Sequence, residues 1–287
     1  KDQGYEIDSV QNKGYHITKA PDVMTEEELQ SCRKTKWAGQ KIVYFDQIDS
    51  TNIKAKELAE QGCPSGTLVV ADKQVAGRGR RGRNWDSPSG TGIFMTLMLK
   101  PEINPNNASM LTLVAALAVA EAIKDVTGLD ARIKWPNDIV INGKKICGIL
   151  TEMSAQFDYI NHIVIGIGIN VHNEAFPEEI SAVAGSILLE SGGRRFRRAE
   201  IIEKTLEHFE EYYEIYLQTE DLSALTADYN ALLVNMNKQV KVLDPKDEFE
   251  GKAMGITAKG ELIVDTWESR KLVSSGEVSV RGIYGYV

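Results

Sequence analysis

Asn142-Gly143 lies between two apolar runs, Ile139 to Ile141 and Ile146 to Met153. That dipeptide readily takes the two positive φ angles of a tight hairpin turn. Strands joined so closely run antiparallel, because a parallel crossover needs roughly a dozen residues or more. The spacing therefore excludes a doubly wound parallel fold and predicts an α+β body with a mixed or antiparallel sheet. Further strands are expected at Ile42 to Phe45, Leu68 to Ala71, Ile93 to Leu99, beside Lys134, and at Ile163 to Val171. Thr25 with Glu28 forms a capping box and starts a short helix. A second helix runs from Ser50-Thr51-Asn52 to Gln61 and stops at Gly62, and a long apolar helix from Ala108 to Val126 is the expected core. Two more helices follow, Ala199 to Gln218 and Leu222 to Leu233.

The 287 residues suggest about two folding units. Past Asn237 the pattern changes to short strands punctuated by Gly251, Gly255, Gly260, Gly276 and Gly282, as in a small separate β-barrel. At the other end, Tyr5 to Ile7 and Tyr15 to Ile17 flank Asn12-Lys13-Gly14 and read as a small hairpin. The longest apolar stretch, Leu111 to Ile123, is interrupted by Thr112 and Glu121 and is too short to span a bilayer. The opening Lys-Asp-Gln-Gly has no apolar core of a signal peptide, so a soluble cytoplasmic protein with no membrane partner is expected. Three scattered cysteines and four histidines without ligand spacing predict neither a disulfide framework nor a protein-held metal.

A net charge of −8 argues against a surface that coats nucleic acid, so any anion site must be a local concentration of cations. Gly77-Arg78-Gly79-Arg80-Arg81-Gly82-Arg83 is such a concentration. Its guanidinium groups repel one another and its glycines restrain it little, so the loop should be mobile until an anion neutralises it. Arg offers planar paired donors to phosphate or carboxylate. A solvated basic loop or a nucleic-acid patch is the plainer alternative. Gly77 and Gly82 have P-loop spacing, but Arg83-Asn84 stands where Lys-Ser/Thr is required, which rejects that arrangement. Trp85 beside the loop either stacks on a nucleobase or anchors the loop in the core. Lys134 points to the opposite face from Ile133 and Trp135, and on a buried face it needs a counter-charge that a carboxylate or phosphate would supply. Gly166-Ile167-Gly168-Ile169-Asn170 lacks the third glycine of a dinucleotide fingerprint, and small residues there suit a ligand lying against the strand. Ser50, Thr51 and Asn52 offer hydroxyls and an amide at a helix start, where capping is the ordinary use.

In order along the chain, Asp49-Ser50-Thr51-Asn52, Gln74 with Gly77 to Arg83, Trp85, Lys134-Trp135-Pro136-Asn137-Asp138, Gly148-Ile149-Leu150 and Gly166 to Asn170 resemble the biotin–protein ligases, including the bifunctional ligase/repressor type. Gly276-Glu277-Val278-Ser279 resembles part of the family's SH3-like C-terminal domain, and Asn12-Lys13-Gly14-Tyr15 the wing of a winged helix-turn-helix. The resemblance implies a class II aminoacyl-tRNA synthetase-like catalytic domain over 25–236, an SH3-like β-barrel over 237–287, and a wing remnant with linker over 1–24. The helices before the wing are missing from this sequence, so operator DNA is expected as a partner only for an intact protein carrying that domain.

The same resemblance implies that biotin's carboxylate attacks the α-phosphate of ATP, giving biotinyl-5′-AMP and pyrophosphate, and that a lysine of a biotin carboxyl carrier protein then displaces AMP. Lys134 and Arg80 are the catalytic candidates. Biotin binding falls to Ser50, Thr51, Asn52, Gln74, Arg78, Gly79, Arg80, Lys134 and Gly148, and adenylate binding to Arg78, Arg81, Trp85 and Asn170. Mg2+ is expected to come with the nucleotide phosphates, without a metal site of protein ligands. The resemblance also allows a homodimer. Two rival readings are a lipoate–protein ligase, whose catalytic domain is related, and a non-catalytic DNA-binding regulator that senses biotin.

Overall fold

The computed structural model describes residues 6–10, 14–19, 21–244, 247–276, 278–283 and 285–287. Strands β1 (Glu6–Val10) and β2 (Gly14–Lys19) pair antiparallel as a sheet of their own, the hairpin anticipated at this end. Tyr5, Asn12 and Lys13 of that expectation, and Glu277 of the C-terminal motif, lie outside the described residues. The body continues through α1 (Glu26–Cys32), β3 (Ile42–Phe45), α2 (Thr51–Glu60), β4 (Thr67–Ala71), β5 (Gly92–Leu99), α3 (Leu111–Thr127), β6 (Arg132–Lys134), β7 (Asp138–Ile141), β8 (Lys144–Ala155), β9 (Ile160–Asn170), α4 (Glu178–Ser181), α5 (Ile187–Glu190), α6 (Arg198–Thr219) and α7 (Thr226–Leu232).

Seven strands form one mixed sheet in the order β3-β4-β5-β9-β8-β7-β6. Only β3 and β4 run parallel, joined by α2, and every other neighbour is antiparallel. Asn142 and Gly143 take φ values of 50° and 78°, as the turn between β7 and β8 requires. Alternation divides the sheet's faces. Leu68, Val70, Met95, Leu97, Ile165 and Ile167 join the main core, which also takes in α3 and α6. Val69, Met98 and Val164 point the other way and pack under α2 with Ala55, Leu58 and Ala59. The rest of that second face is open beyond the start of α2, and the polar residues gather there.

Three expectations need adjustment. The core helix begins at Leu111, because Pro105 to Met110 form a 3-10 turn in which the Asn104 side chain accepts from the Asn106 N–H. Ser50 occupies the N-cap position of α2, yet its side chain makes no capping bond. The short helices α4 and α5 were not anticipated; four-residue segments carry too little periodicity to be read. The C-terminal strands β10 (Gln239–Leu243), β11 (Phe249–Ile256), β12 (Leu262–Asp265), β13 (Arg270–Val273) and β14 (Ser279–Gly282) form an antiparallel sheet in the order β13-β12-β11-β10-β14. It is keyed to the body where Trp135 Nε1 donates to the Gly260 carbonyl at 3.0 Å and the Ile256 N–H donates to Asn230 Oδ1 at 3.0 Å.

Candidate active site

Strand register sets the site. One row across the sheet pairs Lys134 with Asp138, Asp138 with Gly148, Gly148 with Gly168 and Gly168 with Phe94. The next row pairs Leu150 with Gly166 and Gly166 with Thr96. Residues paired across neighbouring strands share a face, so an ammonium, a carboxylate, three glycines and a hydroxyl lie together on the open face. A cavity of about 430 Å³ opens above them, lined by every one of the sequence-derived site residues: Ser50, Thr51, Asn52, Gln74, Arg78, Gly79, Arg80, Arg81, Trp85, Lys134, Gly148 and Asn170.

At one end of the cavity the polar side chains already satisfy one another. Gln74 Oε1 accepts from the Thr51 N–H at 2.9 Å and from its hydroxyl at 3.1 Å, while Gln74 Nε2 donates to Ser87. The Thr96 hydroxyl lies 2.8 Å from that of Thr51 and 2.7 Å from Asn52 Oδ1. Asn52 Nδ2 donates to Glu152 at 2.8 Å, and Lys56 pairs with the same carboxylate at 2.7 Å. Burial raises Glu152's affinity for a proton, but Asn52 and Lys56 outweigh it and hold the carboxyl below its usual range. The result is a preoriented set of donors and acceptors at this end of the cavity.

The glycines of 166–170 are not bare floor on which a ligand lies, because side chains already occupy the space above them. A Cβ on Gly166 would stand 2.1 Å from Asn52 Oδ1, and one on Gly168 2.6 Å from Trp85 Nε1. Their missing side chains admit Asn52 and the indole against the strand. Gly166→Ala should therefore displace Asn52 from Thr96 and Glu152 and cost roughly 1–3 kcal/mol, as overpacking does. A thermal melt and the affinity for the ligand of this pocket measure that change, and unaltered values of both would contradict it.

Trp85 lies over Gly148 and Gly168, half-buried, with its indole N–H buried and without a hydrogen-bond partner among the described residues. The indole packs on the strand as an anchor for the loop and also lines the cavity. Gly77 packs where a Cβ would meet the Trp85 carbonyl at 2.4 Å. The Gly79 N–H donates to the Arg83 carbonyl at 2.7 Å, and that of Trp85 to the Gly77 carbonyl at 2.9 Å, closing the arginine loop on itself. Arg78, Arg81 and Arg83 are exposed at its rim. Arg80 turns inward and donates to Asn137 Oδ1 at 2.7 Å, to the Ser275 carbonyl at 2.9 Å and to the Gly276 carbonyl. Asn170 Nδ2 donates to the Gly185 carbonyl at 3.0 Å.

Lys134 is the electrostatic centre. It is only 4% exposed, so it is no solvated strand lysine. Its ammonium is 4.0 Å from Asp138 Oδ2, whereas Lys145 holds Oδ1 of the same carboxylate at 2.7 Å. Burial first, then Lys145, Arg281 and Arg80, together lower the Lys134 pKa to about 8 against the upward pull of Asp138. Burial alone would raise Asp138, but Lys145, Lys134 and the Tyr286 hydroxyl more than offset it and keep the carboxyl ionised. One carboxylate is thus shared between two ammonium groups, and Lys134, the more distant, is under-neutralised at a buried position. Such a group favours an anion.

Thr96, Glu152, Lys145 and Tyr286 take part in this geometry and were absent from the sequence-derived site. Thr96 left a signal, the one polar residue in the apolar run Ile93 to Leu99. Lys145 and Tyr286 left none, because their places follow from tertiary packing.

Residues 44–170 match the biotin/lipoate A/B protein ligase family, and residues 236–281 match the biotin protein ligase C-terminal domain. The chain is 41% identical over 280 residues to the bifunctional ligase/repressor BirA of Bacillus spizizenii, covering 97% of this chain and 86% of that protein. It is 31% identical over 238 residues to the biotin–[acetyl-CoA-carboxylase] ligase of Mycobacterium tuberculosis, covering 81% and 86%. Among solved structures, biotin protein ligase from Aquifex aeolicus in complex with biotin and ATP aligns with a TM-score of 0.74 at 31% identity, covering 85% of this chain and 99% of that one.

Proposed function

The chain belongs to the biotin protein ligases, and from that premise we propose that it joins biotin to ATP as biotinyl-5′-AMP and then transfers biotin to a lysine of a carboxylase's biotin carboxyl carrier domain. The under-neutralised, buried Lys134 facing the cavity is the observation that carries this reading. A carboxylate approaching a triphosphate brings anions together, and a fixed cation in a low-dielectric site offsets the charge that develops as pyrophosphate leaves. Lys134 takes that role, assisted by the inward-turned Arg80 and by Arg78 and Arg81 at the exposed rim. Ser50, Thr51, Asn52, Gln74, Gly79 and Gly148 shape the biotin end, and Trp85 and Asn170 the adenylate end.

In the second step a neutral lysine amine of the carrier attacks the mixed anhydride's carbonyl carbon. The C–N bond forms as the C–O bond to AMP breaks, and the amine's proton passes to solvent or to a nearby base. Mg2+ is assigned to the nucleotide's phosphates, whose anionic oxygens suit a small hard cation that keeps several of its waters. The same reading takes the seven-stranded body as class II synthetase-like and the C-terminal strands as SH3-like. The mostly antiparallel mixed sheet backed by α3 and α6, and the antiparallel five-strand order of the C-terminal unit, support it. A second activity in repression, with operator DNA as partner, is supported by the name of the Bacillus relative, a bifunctional ligase/repressor, and by the β1–β2 hairpin.

Incubation with biotin and ATP should release pyrophosphate and label a carrier domain on one lysine, while lipoate should not substitute. Failure to transfer biotin defeats the reading, and preference for lipoate would move the chain to the other branch of its family. A pH profile tests the cation directly. The protonated Lys134 is the active form, so kcat/KM for biotin should fall as pH rises through about 8. Bound anions favour the charged form, so the limb in kcat should lie at higher pH. Coincident limbs, or none, would remove Lys134 from the role.

A further inference from the structure

From the packing of the C-terminal segment we propose that Tyr286 is a positioning residue for adenylate formation, setting Lys134 and Asp138 in their reactive arrangement from the C-terminal unit. This rests on the ligase reading above. The Tyr286 ring lies under the Lys134 ammonium, 3.9 Å from centroid to Nζ, and its hydroxyl donates to Asp138 Oδ2. One side chain therefore addresses both members of the row by different means. The ring face attracts the cation through its quadrupole, and the hydroxyl occupies the carboxylate oxygen that would otherwise draw Lys134 closer.

The tyrosine is itself held. After β14 the chain doubles back, with the Gly285 N–H on the Gly282 carbonyl at 3.4 Å. The Val287 carbonyl packs where a Cβ on Gly282 would lie, 2.2 Å away, and the Val287 side chain comes within 3.3 Å of a Cβ built on Gly143 in the β7–β8 turn. Arg80 makes a second tie between the two units, through Ser275 and Gly276. The C-terminal strands thus supply both a clasp on the arginine loop and a platform for the lysine. Around Lys134 the charged groups are Asp138 on β7, Lys145 on β8, Arg80 on the loop and Arg281 on β14, with Tyr286 closing the remaining side.

Tyr286→Ala in the full chain should lower kcat for biotinyl-AMP formation about tenfold, with KM for biotin within twofold, because the cation stays in the site but loses its seat. Opening that side also admits water, so desolvation of Lys134 relaxes and the alkaline limb of kcat/KM should move upward from about 8. Tyr286→Phe keeps the ring and should recover most of kcat. A merely structural role would lower the melting temperature without moving the limb. Competitive acetylation of Lys134 across pH, read by peptide mass spectrometry, reports the same shift whether or not the protein turns over. An unmodified chain that forms no adenylate defeats the ligase reading, whereas an active chain whose Tyr286→Ala variant keeps its kcat, or keeps its limb, defeats only this inference. A variant faster than the parent would make Tyr286 an obstruction, and would likewise overturn it.

Discussion

Lys134→Ala should lower biotinyl-AMP formation by roughly three orders of magnitude, the scale at which a preorganised group facing developing charge acts. Lys145 is no substitute. Its ammonium is held at 2.7 Å by Asp138, and drawing it onto a substrate anion would strip that buried carboxylate of its nearest cation. The fold should survive. A lysine whose pKa is driven down on folding is disfavoured in its charged form by the native state, so removing it relieves a strain while opening a small cavity. Asp138 keeps Lys145 and Tyr286. The measurement is pyrophosphate release on mixing with biotin and ATP, beside a thermal melt. An unfolded variant would leave the rate uninterpreted, so Lys134→Gln, which fills the same volume, is the companion. Either variant folded and releasing pyrophosphate at the parent rate would refute the role.

Strand alternation and turn chemistry made most of this geometry readable in the chain. Asn142-Gly143 fixed one hairpin, and with it the direction of β7 and β8. The placement of Lys134 opposite Ile133 and Trp135 follows from a period of two, and all three are buried, because Tyr286 of the C-terminal unit covers the open face at Lys134. The glycines of β8 and β9 were legible as places where something comes close, but not what does. That Asn52 and Trp85 fill the space depends on α2 and the arginine loop arriving over the same strands, and no local pattern encodes such an arrival. Arg80 shows the limit most plainly. Composition singled out the loop as cationic without distinguishing its four arginines, yet one points inward to Asn137 and the C-terminal unit while three stand at the rim. Tyr286 is separated from Asp138 by 148 positions, and its partnership is wholly tertiary.

The inward arginine has its own consequence. Arg80→Gly should let biotinyl-5′-AMP escape at roughly a hundredfold the parent rate, because the substitution removes charge-assisted hydrogen bonds worth about 1.5–3 kcal/mol each. Those bonds span three segments, since the guanidinium joins the loop to Asn137 beside Lys134 and to the carbonyls of Ser275 and Gly276. Without them the loop keeps closures such as Gly79 to Arg83 and Trp85 to Gly77, and the seat of the Trp85 indole on Gly148 and Gly168, but loses its side-chain ties to Asn137 and the C-terminal unit. Adenylate formation should fall less than retention, because Lys134, Asp138 and Lys145 are untouched. Water and foreign amines then compete with the carrier lysine for the anhydride, a competition that a closed loop suppresses. Rapid filtration after a single turnover would find biotinyl-AMP in the filtrate of the variant and bound in the parent, and a bystander protein would acquire biotin only with the variant. Retention and carrier-specific transfer equal to the parent's would show that the loop is fastened by something other than Arg80.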